Sequence, residues 1–286
     1  VAAHFAMKNQ AEMPRRLGII AGGGTLPARV AAAAVAAGRS VFIIGLEGFA
    51  DPAVLAPWPH EMQRIGKAAR ILAALHEHGC QDVVMIGAVR RPSLLDLRPD
   101  AEGARLLARI GRAAFAGDDG LLAAVIRIFA EEGFTVIGAH DVIREVLAPA
   151  GVLTRLKPDA QAMADIERGR AVTRALGAVD VGQGCVVQQG LVLAVEAIEG
   201  TDAMLARAGT LRRDGIGGVL VKLLKPSQER RADLPTIGPD TVRNAAAAGL
   251  RGLAFEAQST ILADREACVA AADAAGLFMI GLDPAT

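Results

Sequence analysis

Residues 222–238 set Lys222, Lys225, Arg230 and Arg231 around Asp233 in the run KLLKPSQERRADLPTIG. Hydrolysis of a phosphoanhydride needs both kinds of charge: cations to offset the phosphate oxygens, and a carboxylate to hold Mg²⁺ or orient water. A solvated charged loop is the alternative that spacing alone leaves open. A second polar interruption, Glu196-Ala197-Ile198-Glu199-Gly200-Thr201-Asp202, follows an apolar run. Read plainly, it is a helix start with Thr201 as N-cap and acids near the positive end of the helix dipole. Asp118-Asp119 likewise reads as a cap ahead of Leu121.

The third feature is Gly22-Gly23-Gly24, between an apolar run and an alanine-rich stretch. Glycine lets the backbone approach phosphate, and the following helix would point its N–H groups there. A plain tight turn is the other reading. A dinucleotide fingerprint would want a third glycine where Pro27 stands, although Glu47 is placed to mimic the ribose-binding acid. The chain has no G-x-x-x-x-G-K-[ST], H-E-x-x-H or G-x-S-x-G, and His4, His60, His76, His78 and His140 form no D-x-H or G-N-H arrangement. Phosphate chemistry would therefore run on carboxylates. His76 and His78 read as solvated helix positions; His140, in a loop after a buried strand, is the functional candidate.

These residues need elements to hold them. Leu17 to Ala21 predicts a strand, Leu26 to Ala37 a helix, Val41 to Leu46 a strand, Lys67 to His78 a helix and Asp82 to Gly87 a third strand. Leu121 to Glu132 and Phe134 to Ile137 repeat the alternation, which indicates βαβ units and a parallel sheet. Further on, Met163 to Leu176 predicts a helix and Gly184 to Ala197 a hairpin around Gly190. Helices from Thr201, Pro239 and Asp264 then alternate with strands at Gly218 to Leu224, Gly252 to Phe255 and Leu277 to Leu282.

The expected class is α/β in two domains: an N-terminal Rossmann-like parallel sheet (14–148) and a C-terminal mixed α/β catalytic domain (161–286). The Pro- and Gly-containing segment 149–160 is the expected linker. The first dozen residues read as an extension outside the fold.

Composition narrows the function. The hydrophobic fraction is 52% but the aromatic fraction only 3%, with no Tyr, so base-stacking platforms are scarce. Lys plus Arg and Asp plus Glu both number 31, which removes the basic field of a nucleic-acid binder. Cys80, Cys185 and Cys268 lie far apart and argue against both a disulfide framework and a Cys-based zinc site, which fits a reducing cytoplasm. No stretch of 18 consecutive apolar residues occurs, so any membrane contact is expected to be peripheral.

The runs LGIIAGGGTLP (17–27), GAVRRP (87–92), GDDGLL (117–122), GAHD (138–141), VGQGCVVQQGLVLAVEAIEGTDAML (181–205) and VKLLKPSQERRADLPTIG (221–238) occur in that order. Together they resemble the UDP-2,3-diacylglucosamine pyrophosphatases of lipid A biosynthesis, the family unrelated to the histidine-rich metallophosphoesterases of the same activity. The resemblance implies a hydrolase dependent on Mg²⁺, with Mn²⁺ as the alternative ion. Water would attack the α-phosphorus of UDP-2,3-diacylglucosamine, giving UMP and 2,3-diacylglucosamine 1-phosphate (lipid X).

Asp233, in the family's D-L-P-T-I-G motif, would be the catalytic residue, as metal ligand or water-orienting base. Gly23, Gly24, Thr25, Leu26, Gly87, His140, Glu199, Gly200, Thr201, Asp202, Lys222 and Thr236 would bind substrate, Lys222 by neutralising phosphate. Ala88 stands where the family leads one to expect Asn and is left out. A homodimer in peripheral contact with the cytoplasmic face of the inner membrane is also implied. Two rivals are an NAD(P)-linked oxidoreductase, opposed by Pro27, and a non-catalytic nucleotide-sugar sensor.

Overall fold

A computed structural model of the chain describes residues 15–89, 103, 105, 108, 111, 118–226 and 228–284. The expected N-terminal extension, Arg90-Arg91-Pro92, Gly117 and Ser227 lie outside these, as do the side chains of Asp118 and Asp119. The chain divides into two compact units. One comprises the described residues of Val1–Arg109 and Ile126–Val142, the other those of Ile110–Val125 and Ile143–Thr286.

In the first unit, β1 (Leu17–Ala21) leads through α1 (Leu26–Ala36) to β2 (Val41–Leu46), then α2 (Pro52–Leu55), β3 (His60–Gln63), α3 (Ala68–Glu77) and β4 (Asp82–Ile86). After α4 (Asp118–Glu131), whose residues fall in both units, come β5 (Thr135–Val136) and α5 (Ala139–Val142). The five strands pair in the order β3-β2-β1-β4-β5, all parallel, with Leu17 opposite both Val41 and Asp82. Every residue of β1 and β2 is buried, which is what a parallel sheet covered on both faces demands of its central strands. Pro27 in the first turn of α1 costs nothing there, because the missing N–H would have no partner within the helix. At the foot of β4, buried Asp82 is held by Arg15 (2.9 Å) and Arg39 (2.6 Å).

The second unit is built on β6 (Gly151–Val152), β7 (Gly184–Gln188), β8 (Leu191–Val195), β9 (Val219–Lys222), β11 (Gly252–Glu256) and β13 (Phe278–Leu282), ordered β6-β13-β11-β9-β7-β8. Strands β9, β11 and β13 are parallel, while β6 and β7 run against their neighbours and β8 against β7. Two further short strands, β10 (Thr236–Ile237) and β12 (Ile261–Leu262), pair with each other.

Alternation along the strands separates two cores. Val186, Leu220, Leu253, Phe255 and Met279 pack with residues of α7 (Gly200–Thr210), α8 (Pro239–Ala247) and α9 (Arg265–Ala275). Cys185, Val187, Val219, Val221 and Phe278 pack with Ala162 and Ile166 of α6 (Ala160–Ala178). Each fully buried Phe or Leu in them contributes roughly 1.5–3 kcal/mol.

Within the segment read as a linker, Gly151 and Val152 pair with Gly281 and Ile280 in the sheet. Two features depart from the sequence-based expectation. Strand β3 forms from the polar run HEMQ, held at the sheet edge by β2. And α7 takes Glu199, not Thr201, as its N-cap, without a side-chain capping bond.

Candidate active site

In the first unit the strand order reverses between β1 and β4, so the loops leaving these two strands face a common crevice, where open parallel sheets take their ligands. Here the loops are joined. Gly22 N donates to Ile86 O, and Gly23 and Ala88 exchange backbone hydrogen bonds of 2.9 and 3.0 Å. A Cβ on Gly22 would stand 2.7 Å from Gly87 O, and one on Gly87 would stand 2.7 Å from Gly22 C. Gly87 also has φ +105°, a conformation that glycine adopts freely. The glycines at 22 and 87 are thus required by each other.

Gly24 and Thr25 beyond them are exposed at the start of α1, and the Thr25 hydroxyl makes no cap, so the first amides of this helix have no side-chain cap. Leu26 is buried in the core, so only its backbone is placed for contact with a ligand. Glu47, just past β2, is exposed.

His140, in α5, lies with its ring over Gly138, where a Cβ would meet it at 2.3 Å. Its Nδ1 is buried without a hydrogen-bond partner among the described residues, and its Nε2 lies 3.8 Å from Asp141. Asp141 is fixed by the amide of Gly138 at 2.8 Å.

In the second unit the candidates collect at one end of the sheet's strands. The loops leaving β8, β9 and β11 and the turn entering β7 all lie there, because β8 runs parallel to β9 while β7 opposes both. Two polar groups result. In the first, Lys222 Nζ donates to Thr201 Oγ1 (2.5 Å), which donates to Glu196 Oε1 (2.7 Å); Nζ and Oε1 are 3.6 Å apart. Lys222 and Glu196 are only 4% and 6% exposed, so this is a buried ion pair bridged by a hydroxyl, and Glu196 Oε2 has no partner among the described residues.

The second group surrounds Asp233. Its Oδ2 accepts from Gln228 Nε2 (2.6 Å), which also reaches Gln183 Oε1 (3.1 Å), while Gln228 Oε1 accepts from the backbone of Lys225 (3.0 Å). Lys225 pairs with Asp180 (2.5 Å), so the loop is tied at two points to the turn before β7. Arg230 donates to Ser259 Oγ and the Gln258 carbonyl beyond β11. Arg231 holds the Glu229 carboxyl below the usual range and is itself raised by it.

The other expected residues are placed nearby in the fold but engaged differently. Glu199 is held below the usual carboxylate range by its own backbone N–H and then by Arg207 at 2.5 Å. Asp202 accepts from Asn244 (2.9 Å), and exposed Thr236 donates to the Leu234 carbonyl. Gln183 and Gln228 are not singled out in the sequence, because polar residues in loops carry no periodicity; in the structure Gln228 is marked by its burial and Gln183 by its contact with it.

Several chemistries can be weighed on this geometry. The thiols of Cys80, Cys185 and Cys268 are buried, and burial pushes each up to about 11, which makes them poor nucleophiles. Among the described residues no three His, Cys, Asp or Glu side chains converge on a metal-sized space. Two surface depressions, about 640 Å³ beside Leu153, Arg155 and α9 and about 400 Å³ between α7 and α8, include neither Asp233 nor Lys222; Asp202 lines the second.

Comparison with known proteins adds the family context. Residues 16–146 match the LpxI N-terminal domain and residues 149–280 the LpxI C-terminal domain. The chain is 47% identical over 276 residues, 94% of its length and 98% of the relative's, to a protein of Caulobacter vibrioides named UDP-2,3-diacylglucosamine pyrophosphatase LpxI.

Proposed function

Because the chain belongs to the LpxI family, we propose that it is a UDP-2,3-diacylglucosamine pyrophosphatase acting in lipid A biosynthesis. In finer terms, water adds to the α-phosphorus, the bond to the bridging oxygen breaks, and UMP leaves beside 2,3-diacylglucosamine 1-phosphate. The observation that carries this reading is Asp233, oriented by an amide on the loop leaving the central strand β9.

The donor set fits Mg²⁺ in one particular way. In phosphate chemistry this ion is commonly held by one or two carboxylates, with phosphate oxygens and water completing its shell. Asp233 is a carboxylate hydrogen-bonded by the neutral Gln228, and no three-residue cage exists among the described residues. An ion shared with the diphosphate suits that better than one enclosed by protein. When bound, Mg²⁺ offsets negative charge on the phosphate oxygens. Asp233 holds that ion or orients the attacking water. In the first unit the uncapped amides at the start of α1 suit an anion.

The decisive experiment measures turnover and substrate binding for wild type and Asp233→Ala with Mg²⁺, Mn²⁺ or EDTA, in ¹⁸O water. Expected are metal-dependent release of UMP carrying the label, and a loss in the variant of about a hundred- to ten-thousand-fold in kcat with binding retained. Label in the sugar phosphate would contradict attack at the α-phosphorus. Binding without hydrolysis under every ion would leave a nucleotide-sugar sensor.

A homodimer and peripheral contact with the inner membrane belong to the same proposal, supported by the family resemblance alone. Among the described residues no helix is long and apolar enough to cross a membrane. Light scattering and liposome flotation test these two points.

A further inference from the structure

We propose that Gln228 is a positioning residue for Asp233, locked in turn by Gln183; the inference rests on the catalytic reading of Asp233. Three contacts fix the Gln228 amide, and one of them decides its orientation. The backbone N–H of Lys225 can only donate, so the group 3.0 Å from it must be the Gln228 oxygen. The NH₂ group then necessarily faces the two acceptors, Gln183 Oε1 at 3.1 Å and Asp233 Oδ2 at 2.6 Å. With Gln228 only 6% exposed, water competes poorly for these bonds.

The backbone of Gln183 is anchored, since its main-chain carbonyl accepts from Leu223 N at 2.9 Å where the chain leaves β9. The backbone of Asp233 is fixed by its N–H to Glu229 O (2.8 Å) and by buried Leu234 and Pro235 after it. The Gln228 amide, donating to Oδ2, then restrains rotation about the Asp233 side-chain bonds. An amide does so without adding a positive charge at the carboxylate. Glu229, four residues earlier, shows the contrast: both its oxygens are clamped by Arg231. A carboxylate meant to meet a cation or polarise water is served by the neutral donor.

The test compares Gln228→Leu, Gln183→Leu, Asp233→Asn and the Gln228→Leu/Asp233→Asn pair, in the full chain. Single-turnover UMP release, substrate affinity and melting temperature are the readouts. Loss of one hydrogen bond to a charged group predicts a fall in kcat of about 10- to 100-fold for Gln228→Leu, with KM and affinity unchanged. Gln183→Leu should lower kcat in the same direction by less, and it keeps the test open if Gln228→Leu does not fold. On the Asp233→Asn background, Gln228→Leu should cost nothing more, a non-additivity that a merely structural role would not produce.

An unchanged kcat in both leucine variants, a rise in KM alone, or full additivity with Asp233→Asn would overturn the positioning role while leaving Asp233 catalytic. Wild-type turnover by Asp233→Asn would instead remove the catalytic reading and this inference with it.

Discussion

Lys222 illustrates how a charge read as a ligand contact can also carry a structural obligation. Its ammonium and the Glu196 carboxylate sit together inside the second unit, bridged by Thr201, with side chains 5% and 8% exposed. Removing one member of such a pair strands the other in a poorly solvating interior. Lys222→Met should therefore lose about 3–5 kcal/mol of stability in urea unfolding. The same change made beside Glu196→Gln should cost much less, because no carboxylate is then left unpaired. A loss below about 1 kcal/mol in Lys222→Met would show that Glu196 does not depend on this cation. At this scale the run that carries Asp233 could be singled out in the sequence, because it is contiguous along the chain, while the role of Asp233 comes from the family resemblance and belongs to the proposal. The role of Gln228 was not legible, since it depends on meeting Gln183, 45 residues away.

Among elements, the long apolar runs announced themselves. Strands β1, β2, β7, β8 and β13 have nearly the expected limits, because burial on both faces or a hairpin turn leaves a mark on composition. The turn between β7 and β8 has Gln189 at φ 52° and Gly190 at φ 79°, the two positive angles of a hairpin turn whose twist matches its strands. Strands β3, β6, β10 and β12 were invisible: they are short or polar, and a neighbour's edge holds them rather than their own propensity. The N-cap assigned to Thr201 failed for a related reason, since Glu196 claims its hydroxyl.

Helix α6 contributes a tie that no pattern foretold. Buried Asp165 accepts from the backbone of Gln189 (3.0 Å) and Gly190 (2.7 Å), pinning the hairpin turn to the helix. Asp165→Ala should cost about 1.5–3 kcal/mol and make the amides of 189 and 190 exchange with solvent at least about tenfold faster. Unchanged exchange there would mean that the turn holds itself.

On the scale of the whole molecule, the two units have different claims to independence. Among the described residues, the two cores named above are built from residues between Ala148 and Leu282, and all six strands of the sheet fall in the same interval. A fragment covering residues 143–284 should accordingly unfold in one cooperative step, as calorimetry can measure; a broad, heatless transition would show that it borrows stability from the rest of the chain.

The joined loops of the first unit carry a different kind of lesson. At Gly22 and Gly87 the space a side chain would need is filled by the other's main chain, and main chain cannot be made smaller. No second substitution can therefore accommodate a first. Across descendants of this gene the two positions should stay frozen together instead of drifting in step, so methods that infer proximity from correlated change would be blind to one of the closest approaches in the fold.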